Sequence, residues 1–480
     1  MNDVLKPDLC VIGAGSGGLS VAAIAASFGA SVVLVEKNRM GGDCLNVGCV
    51  PSKALIAAGD RMQAVREASR FGIGRGRSEP GVHYERVREH IREVIDAIAP
   101  NDSAERFTAL GVQVIQAEAR FVDGTTVAAG DHSIQARRFV LATGSRPAAP
   151  PIPGLDQVPY FTNETIFDLA EKPRRLVVIG GGPVGVELAQ AHRRLGAEVA
   201  IVEADRLLPR EDPEMAAVVE RSLLKDGVDL RTGVTVEQVE AREGGLALVL
   251  RDGDRSETLE ASHLLVATGR KPVTDGLGLD AAGIATDGSG IRVDSGLRTT
   301  NRRVYAIGDC AGGDAGGYRF THVSNYHAGL VIRRALFGIP AKLDHTRLPR
   351  VVYTDPEIAS VGLSEEEARA KHKRIRILRW PVAENDRARA ERNIAGHLKA
   401  IVTLRGHILG CAIAAPQAGE LIALWTLAMS KGLKVQDLAG TVFAYPTYSE
   451  ISKRAAVEFL RPAAQNAWLR RWMGFMRRFG

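Results

Sequence analysis

The chain has 480 residues, 45% of them hydrophobic and 25% charged, and 62 basic against 56 acidic side chains leave a net charge of +6. That excess is too small to call for a nucleic acid partner, and no run of about 20 apolar residues offers a membrane span. The start, MNDVLKPD, is polar and reads as no secretory signal, so a cytoplasmic protein of two to four domains is expected. Five cysteines in so long a chain do not make a disulfide framework, and a close pair among them points to catalysis or metal binding.

The first predicted unit is DLCVIGAGSGGLSVAAIAASFGASVVLVEK. The apolar run Leu9 to Ile12 enters the turn Gly13-x-Gly15-x-x-Gly18, a helix of small residues follows, and a second apolar run ends on Glu36, 23 residues after Gly13. Glycines let such a turn close tightly and approach a pyrophosphate, which the helix N-terminus favours, and the acid is placed to accept from a ribose hydroxyl. The strip GGDCLNVGCVPSK, residues 41–53, comes next and holds Cys44 and Cys49. A helix from about Ser52 would bring its positive end near the thiols, and Lys53 lies four residues after Cys49. FVLATGSRP, residues 139–147, reads as a strand running into a loop.

The nucleotide pattern recurs in RRLVVIGGGPVGVELAQAHRRLGAEVAIVE, with Gly180-x-Gly182-x-x-Gly185 and an acid, Glu203, again 23 residues after the first glycine. An acid there suits the free 2′-hydroxyl of NAD, while Arg206 and Arg210 nearby keep NADP open. HLLVATGRKP, residues 263–272, is a second strand closed by Ala-Thr-Gly, and VYAIGDC, residues 304–310, puts Asp309 where it can hold a polyol hydroxyl. Cys10, Cys310 and Cys411 sit in apolar runs and read as core, and no resident metal site is assigned.

These motifs, with YTDPEIASVGLSE at 353–365, follow in the order of the class I flavoprotein disulfide reductases, or pyridine nucleotide-disulfide oxidoreductases, which the chain resembles from residue 8 to about 456. The resemblance implies an α/β fold: two Rossmann-like domains and an α+β C-terminal dimerisation domain. FAD-binding parts are expected at 1–153 and 271–345, an NAD(P)H domain at 154–270, an interface domain at 346–462 and a tail from 463. It implies FAD at Gly13, Gly15, Gly18, Glu36, Lys37, Gly42, Lys53, Ala119, Thr143, Gly144, Ser145, Asp309 and Thr321. NAD(P)H is implied at Gly180, Gly182, Val184, Gly185, Glu187, Glu203 and Gly269, with Glu203 favouring NADH over NADPH. Cys49 would face the flavin, Cys44 would meet the acceptor, and Lys53 would pair with Glu187. Asp43 stands where relatives often carry threonine, at a variable position.

Family members usually bring a histidine from the partner subunit of a homodimer, in a His-Pro-Thr-x-x-Glu strip. Here the strip is FAYPTYSEISKRAA, residues 443–456, which keeps Pro446, Thr447 and Glu450 but has Tyr445 at the histidine position. A phenol titrates near pH 10 and is never a cation, so Tyr445 is a poor base for Cys44, and missing acid–base help typically costs about 10²–10⁴ in rate. Poor turnover of ordinary disulfides is expected. His322 and His327, in FTHVSNYHAG, are candidate replacement bases, His322 the first of them, a structural or solvated histidine being the alternative. Glu450 is either idle or a new acid.

Several readings stay open: transfer to an unidentified acceptor such as a quinone or copper ion, a mercuric-reductase-like metal ion reductase, a dihydrolipoamide dehydrogenase-like enzyme with a displaced base, or a non-catalytic redox-sensing flavoprotein. The tyrosine favours metal chemistry, and the lack of a cysteine after Cys411 argues against efficient mercury handling. NDRARAERN, residues 385–393, reads as solvated surface. In AAQNAWLRRWMGFMRRFG, a helix over 468–479 would place Trp468, Phe479, Trp472, Met476, Leu469, Met473 and Phe475 in one arc of about 160°. Arg470, Arg471, Arg477 and Arg478 would fill the other side. The stretch 464–480 either touches an anionic membrane face or packs on the body or the partner subunit.

Overall fold

The computed structural model describes residues 4–74, 81–464 and 466–479. It divides into two compact units. The first, Met1–Gly180 with Ala191–Val199 and Thr235–Leu343, is built on a five-stranded parallel sheet. Its strands run in the order Val304–Ala306, Arg138–Leu141, Leu9–Ile12, Val32–Glu36, Val112–Gln116. LCVI and VVLV are buried throughout, as both-face burial of a parallel strand demands. Helix Ser16–Ser27 connects the Leu9–Ile12 and Val32–Glu36 strands and packs against helix Thr321–Ala335. Strand Arg175–Ile179 pairs in parallel with His263–Val266. Cys10 and Cys310 lie fully inside this core, as expected.

The second unit comprises Gly181–Gln190, Ala200–Val234 and Asp344–Gly480. Residues of Glu198–Glu203 pair in parallel with Asp229–Thr232. A five-stranded sheet, antiparallel throughout, runs Arg350–Val352, Glu357–Gly362, Ile408–Ala415, His397–Thr403, Ile375–Pro381. Helix Ala418–Ser430 covers it, and its buried Trp425 donates to Ser452 Oγ at 3.0 Å. Cys411 is buried in this sheet. The α/β and α+β parts are those expected.

Three local expectations need correcting. The helix expected from about Ser52 begins at Cys49 and runs to Glu67, because Gly48 leaves helical geometry and the next residue already starts the turn. NDRARAERN is not simply solvated. Its Asn385, 3% exposed, caps a short helix, Asp386–Ala390, and donates to Thr447 O at 2.9 Å. The tail helix spans Ala467–Met476, shorter than 468–479 at its C-terminal end.

Candidate active site

The cysteine strip is laid onto the first glycine turn by two glycines. Gly41 and Gly42 adopt left-handed backbone, φ 86° and 55°, which other residues rarely tolerate. A Cβ on Gly42 would lie 2.7 Å from Gly15 Cα, and Gly41 N donates to Ala14 O at 2.9 Å. Cys44 then sits on the short helix Gly42–Asn46, and Cys49 is the first residue of the helix that carries Lys53.

The two thiols are within hydrogen-bonding reach of each other, and that contact, with burial, pushes the Cys44 thiol far above its usual range. Cys49 Sγ lies 3.3 Å from Thr321 Oγ1. A helix N-terminus favours an anion, and Cys49 stands at the first position of its helix. Lys53 Nζ donates to Ser52 Oγ at 3.3 Å. His322, the first candidate base, is exposed and stacks on Phe320; its neighbour Thr321 reaches the thiols. His327 is buried, its Nδ1 accepting from Gly308 N at 3.2 Å, a structural role.

A polar cluster beside the strip went unread in the sequence. Arg270, from ATGRKP, pairs with the Asp43 carboxylate and donates to Ser145 Oγ at 2.7 Å, Ser145 O at 2.8 Å and Asn163 Oδ1 at 3.2 Å. Asn163 Nδ2 in turn donates to Val47 O at 3.1 Å. Ser145 Oγ donates to Asp309 Oδ2 at 2.6 Å. One guanidinium therefore joins the residue next to Cys44 to the Ser145–Asp309 pair. Asp43, dismissed as variable, is its anchor. The only signal was an unassigned arginine after Ala-Thr-Gly.

The two glycine turns are chemically parallel. Glu36 accepts from Ala14 N and Asn38 N, both at 2.7 Å. Glu203 accepts from Gly181 N at 2.6 Å and Asp205 N at 3.0 Å. Gly13 and Gly180 have φ of 105° and 113°. A Cβ at Gly15 would meet nothing closer than 3.9 Å, and one at Gly182 nothing within 4 Å, so each turn keeps an open side at a helix N-terminus, as a pyrophosphate requires. Gly185 follows on helix Pro183–Arg194 with Glu187, which is buried and accepts from Tyr353 N at 3.0 Å; Val184 is exposed. Thr143 Oγ1 donates to Val273 O at 2.7 Å, and Gly144 and Gly269 have positive φ. Lys37 pairs with Glu118 at 3.5 Å on the surface, and Ala119 is a buried strand residue. Arg206 spends its guanidinium on the carbonyls of Leu208, Pro209 and Glu211.

In the second unit Tyr445 is 68% exposed and its hydroxyl donates to Asp386 Oδ2 at 2.9 Å. Asp386, and more weakly Glu450, hold the phenol above its usual range. Tyr448 is buried and donates to Glu391 Oε2 at 2.8 Å.

A family model described as pyridine nucleotide-disulphide oxidoreductase matches residues 7–328, and the dimerisation domain of the same family matches 348–456. The chain belongs to this family. It is 38% identical to a mercuric reductase of Streptomyces lividans, over 95% of this chain and 97% of that one. It is 36% identical to a dihydrolipoyl dehydrogenase of Geobacillus stearothermophilus, over 94% and 96%. The structure of a Cu(II) complex of RclA, an HOCl-induced flavoprotein disulfide reductase from Escherichia coli, matches with TM-score 0.82 and 28% identity, over 93% and 98%. As a pyridine nucleotide-disulphide oxidoreductase the chain is an FAD-dependent enzyme that passes electrons from NAD(P)H to the Cys44–Cys49 disulfide, and its dimerisation domain supports a homodimer. FAD, when bound, supplies the two-electron relay between nicotinamide and disulfide. The open Gly15 turn, Glu36 and the Ser145–Asp309 pair fit its pyrophosphate, ribose and polyol. Among the described residues no helix is long and apolar enough to cross a membrane.

Proposed function

We propose that the acceptor is a thiophilic metal ion taken directly on Cys44, with NADH as the electron source. The observation that carries this is Tyr445. Its hydroxyl donates to Asp386, and neighbouring acids keep it neutral. Reducing a disulfide consumes a proton: NADH, H⁺ and the disulfide give NAD⁺ and two thiols. Reducing a mercuric ion to the metal, or two cupric to cuprous ions, releases one instead. Metal binding also displaces the proton that Cys44 holds in the reduced pair, so no imidazole is needed. The mercuric reductase relative and the cupric complex of RclA support the same class.

NADH is favoured because Glu203 would repel a 2′-phosphate and Arg206 is already held by backbone carbonyls. Within this reading, residues 1–153 and 271–345 hold FAD, 154–270 hold NADH and 346–462 form the dimer interface. The glycine turns, Glu36, Lys37, Thr143, Asp309 and Thr321 contact FAD. Lys53 and Glu187 tune the flavin site, and Tyr445 with Glu450 serves the partner's Cys44. The enzyme works in the cytoplasm, with residues 464–480 making peripheral contact with the membrane.

Anaerobic NADH oxidation by the purified holoenzyme tests the acceptor. With mercuric ion in excess thiol, or with cupric ion as an amino-acid chelate in the absence of thiol, turnover is expected; with oxidised lipoamide it should be lower by about 10²-fold or more. Lipoamide turnover equal to metal turnover would sink the proposal and favour a dihydrolipoamide dehydrogenase.

A further inference from the structure

Among the described residues of the second unit, the tail helix Ala467–Met476 is a long run that buries nothing. Every residue described from 466 to 479 is exposed. Along one side the aromatic rings form a continuous ladder. Trp468 stacks on Trp472 at 6.0 Å, Trp472 meets Phe475 at 5.7 Å, and Phe475 meets Phe479 at 4.9 Å. These rings are 46–71% exposed. Four arginines, Arg470, Arg471, Arg477 and Arg478, occupy the opposite side, and residues 466–479 contain no acid. Asn466 caps the helix, accepting from Trp468 N at 2.8 Å.

A ten-residue helix is marginal in water without packing, and an aromatic ladder left in solvent is a large apolar patch. Something must cover it. A second tail would bring four more arginines and no acid to the contact, so charge argues against self-pairing. Negative lipid headgroups answer both faces at once: rings enter the acyl boundary while arginines stay at phosphate level.

We infer that helix Ala467–Met476 lies in the plane of an anionic lipid surface, inserting Trp468, Trp472, Phe475 and Phe479 and pairing Arg471, Arg477 and Arg478 with headgroup phosphates. This rests on the peripheral contact proposed above and adds the lipid class and the orientation. The two copies in a homodimer would bind one bilayer together, which raises avidity.

The test uses the full-length holoenzyme dimer with vesicles of phosphatidylcholine alone, or of phosphatidylcholine with phosphatidylglycerol, followed by co-sedimentation and tryptophan emission. Binding to the anionic vesicles should be at least about tenfold tighter and should be lost by about 0.5 M salt. Trp472→Glu should abolish binding and the blue shift while NADH turnover with a soluble acceptor stays unchanged. Arg471→Gln combined with Arg478→Gln should bring anionic binding down to the neutral level. Equal binding to both vesicles overturns the headgroup assignment and leaves a bare membrane contact. No binding to either overturns both. If Trp472→Glu turns the dimer into monomers on size exclusion, the tail covers a second copy, and the inference fails.

Discussion

The cysteine strip and the tyrosine strip differ in how much of the family's pattern they keep. The first holds both cysteines, Lys53 and the glycines that seat it on the FAD turn, and it adds an ion pair between Asp43 and Arg270. The second keeps proline, threonine and glutamate around a changed centre, and its phenol is tied to Asp386. The lesson is that electron transfer and proton transfer are separable parts of this fold. The electron path needs geometry, which the first unit builds from buried strands and glycine turns. The proton path needs one side chain of suitable pKa, which a phenol held above its usual range does not supply.

The largest effect expected is on the electron side. Cys44→Ser should lower acceptor-dependent NADH oxidation by at least ~10³-fold, while NADH still bleaches the bound flavin in a single turnover. If metal reduction survives, the acceptor is reduced without the disulfide and the two strips do not act in sequence.

Next comes the proton side. Tyr445→His should raise lipoamide turnover by about 10²-fold and leave metal ion turnover within a few-fold. The pH profiles should separate too. The Tyr445 phenol is held above its usual range by Asp386, so it stays neutral from pH 6 to 9, about, and contributes no inflection to the native rate. In the variant the same acids hold the imidazolium, and disulfide turnover should fall as pH rises through about 7 and that cation is lost. A native profile that bends in this range would point to another titrating group near Cys44.

A smaller effect tests how the cysteine strip is held. Arg270→Met leaves Asp43 without its cation one residue from Cys44, and a loss of ~1–3 kcal/mol is expected in thermal or denaturant unfolding. Asp43→Asn added to Arg270→Met should recover part of it, because a neutral amide costs less to leave without that partner. Full additivity of the two changes would show that the pair does not couple.

Much of this was legible in the residues. Periodic patterns carried the strands around both glycine turns, since a parallel strand buried on both faces must be an uninterrupted apolar run. The Cys-x4-Cys spacing and the odd tyrosine were equally plain, being properties of neighbours in sequence. What escaped were contacts between distant segments. Arg270 and Asp43 lie 227 residues apart and Tyr445 and Asp386 59 apart, and polar residues of this kind look like ordinary surface until folding places a partner within 3 Å or so.

The sequence by itself determined the cofactor turns, the redox pair and the charge pattern of the tail, because each depends on local spacing that any fold must respect. Only the tertiary structure decided which cation guards the cysteine strip, which acid holds the phenol, and that helix Ala467–Met476 finds no place in the core. Those outcomes depend on which groups chain folding brings together, and pairing of charges and hydroxyls at hydrogen-bond range is a property of space rather than of order along the chain.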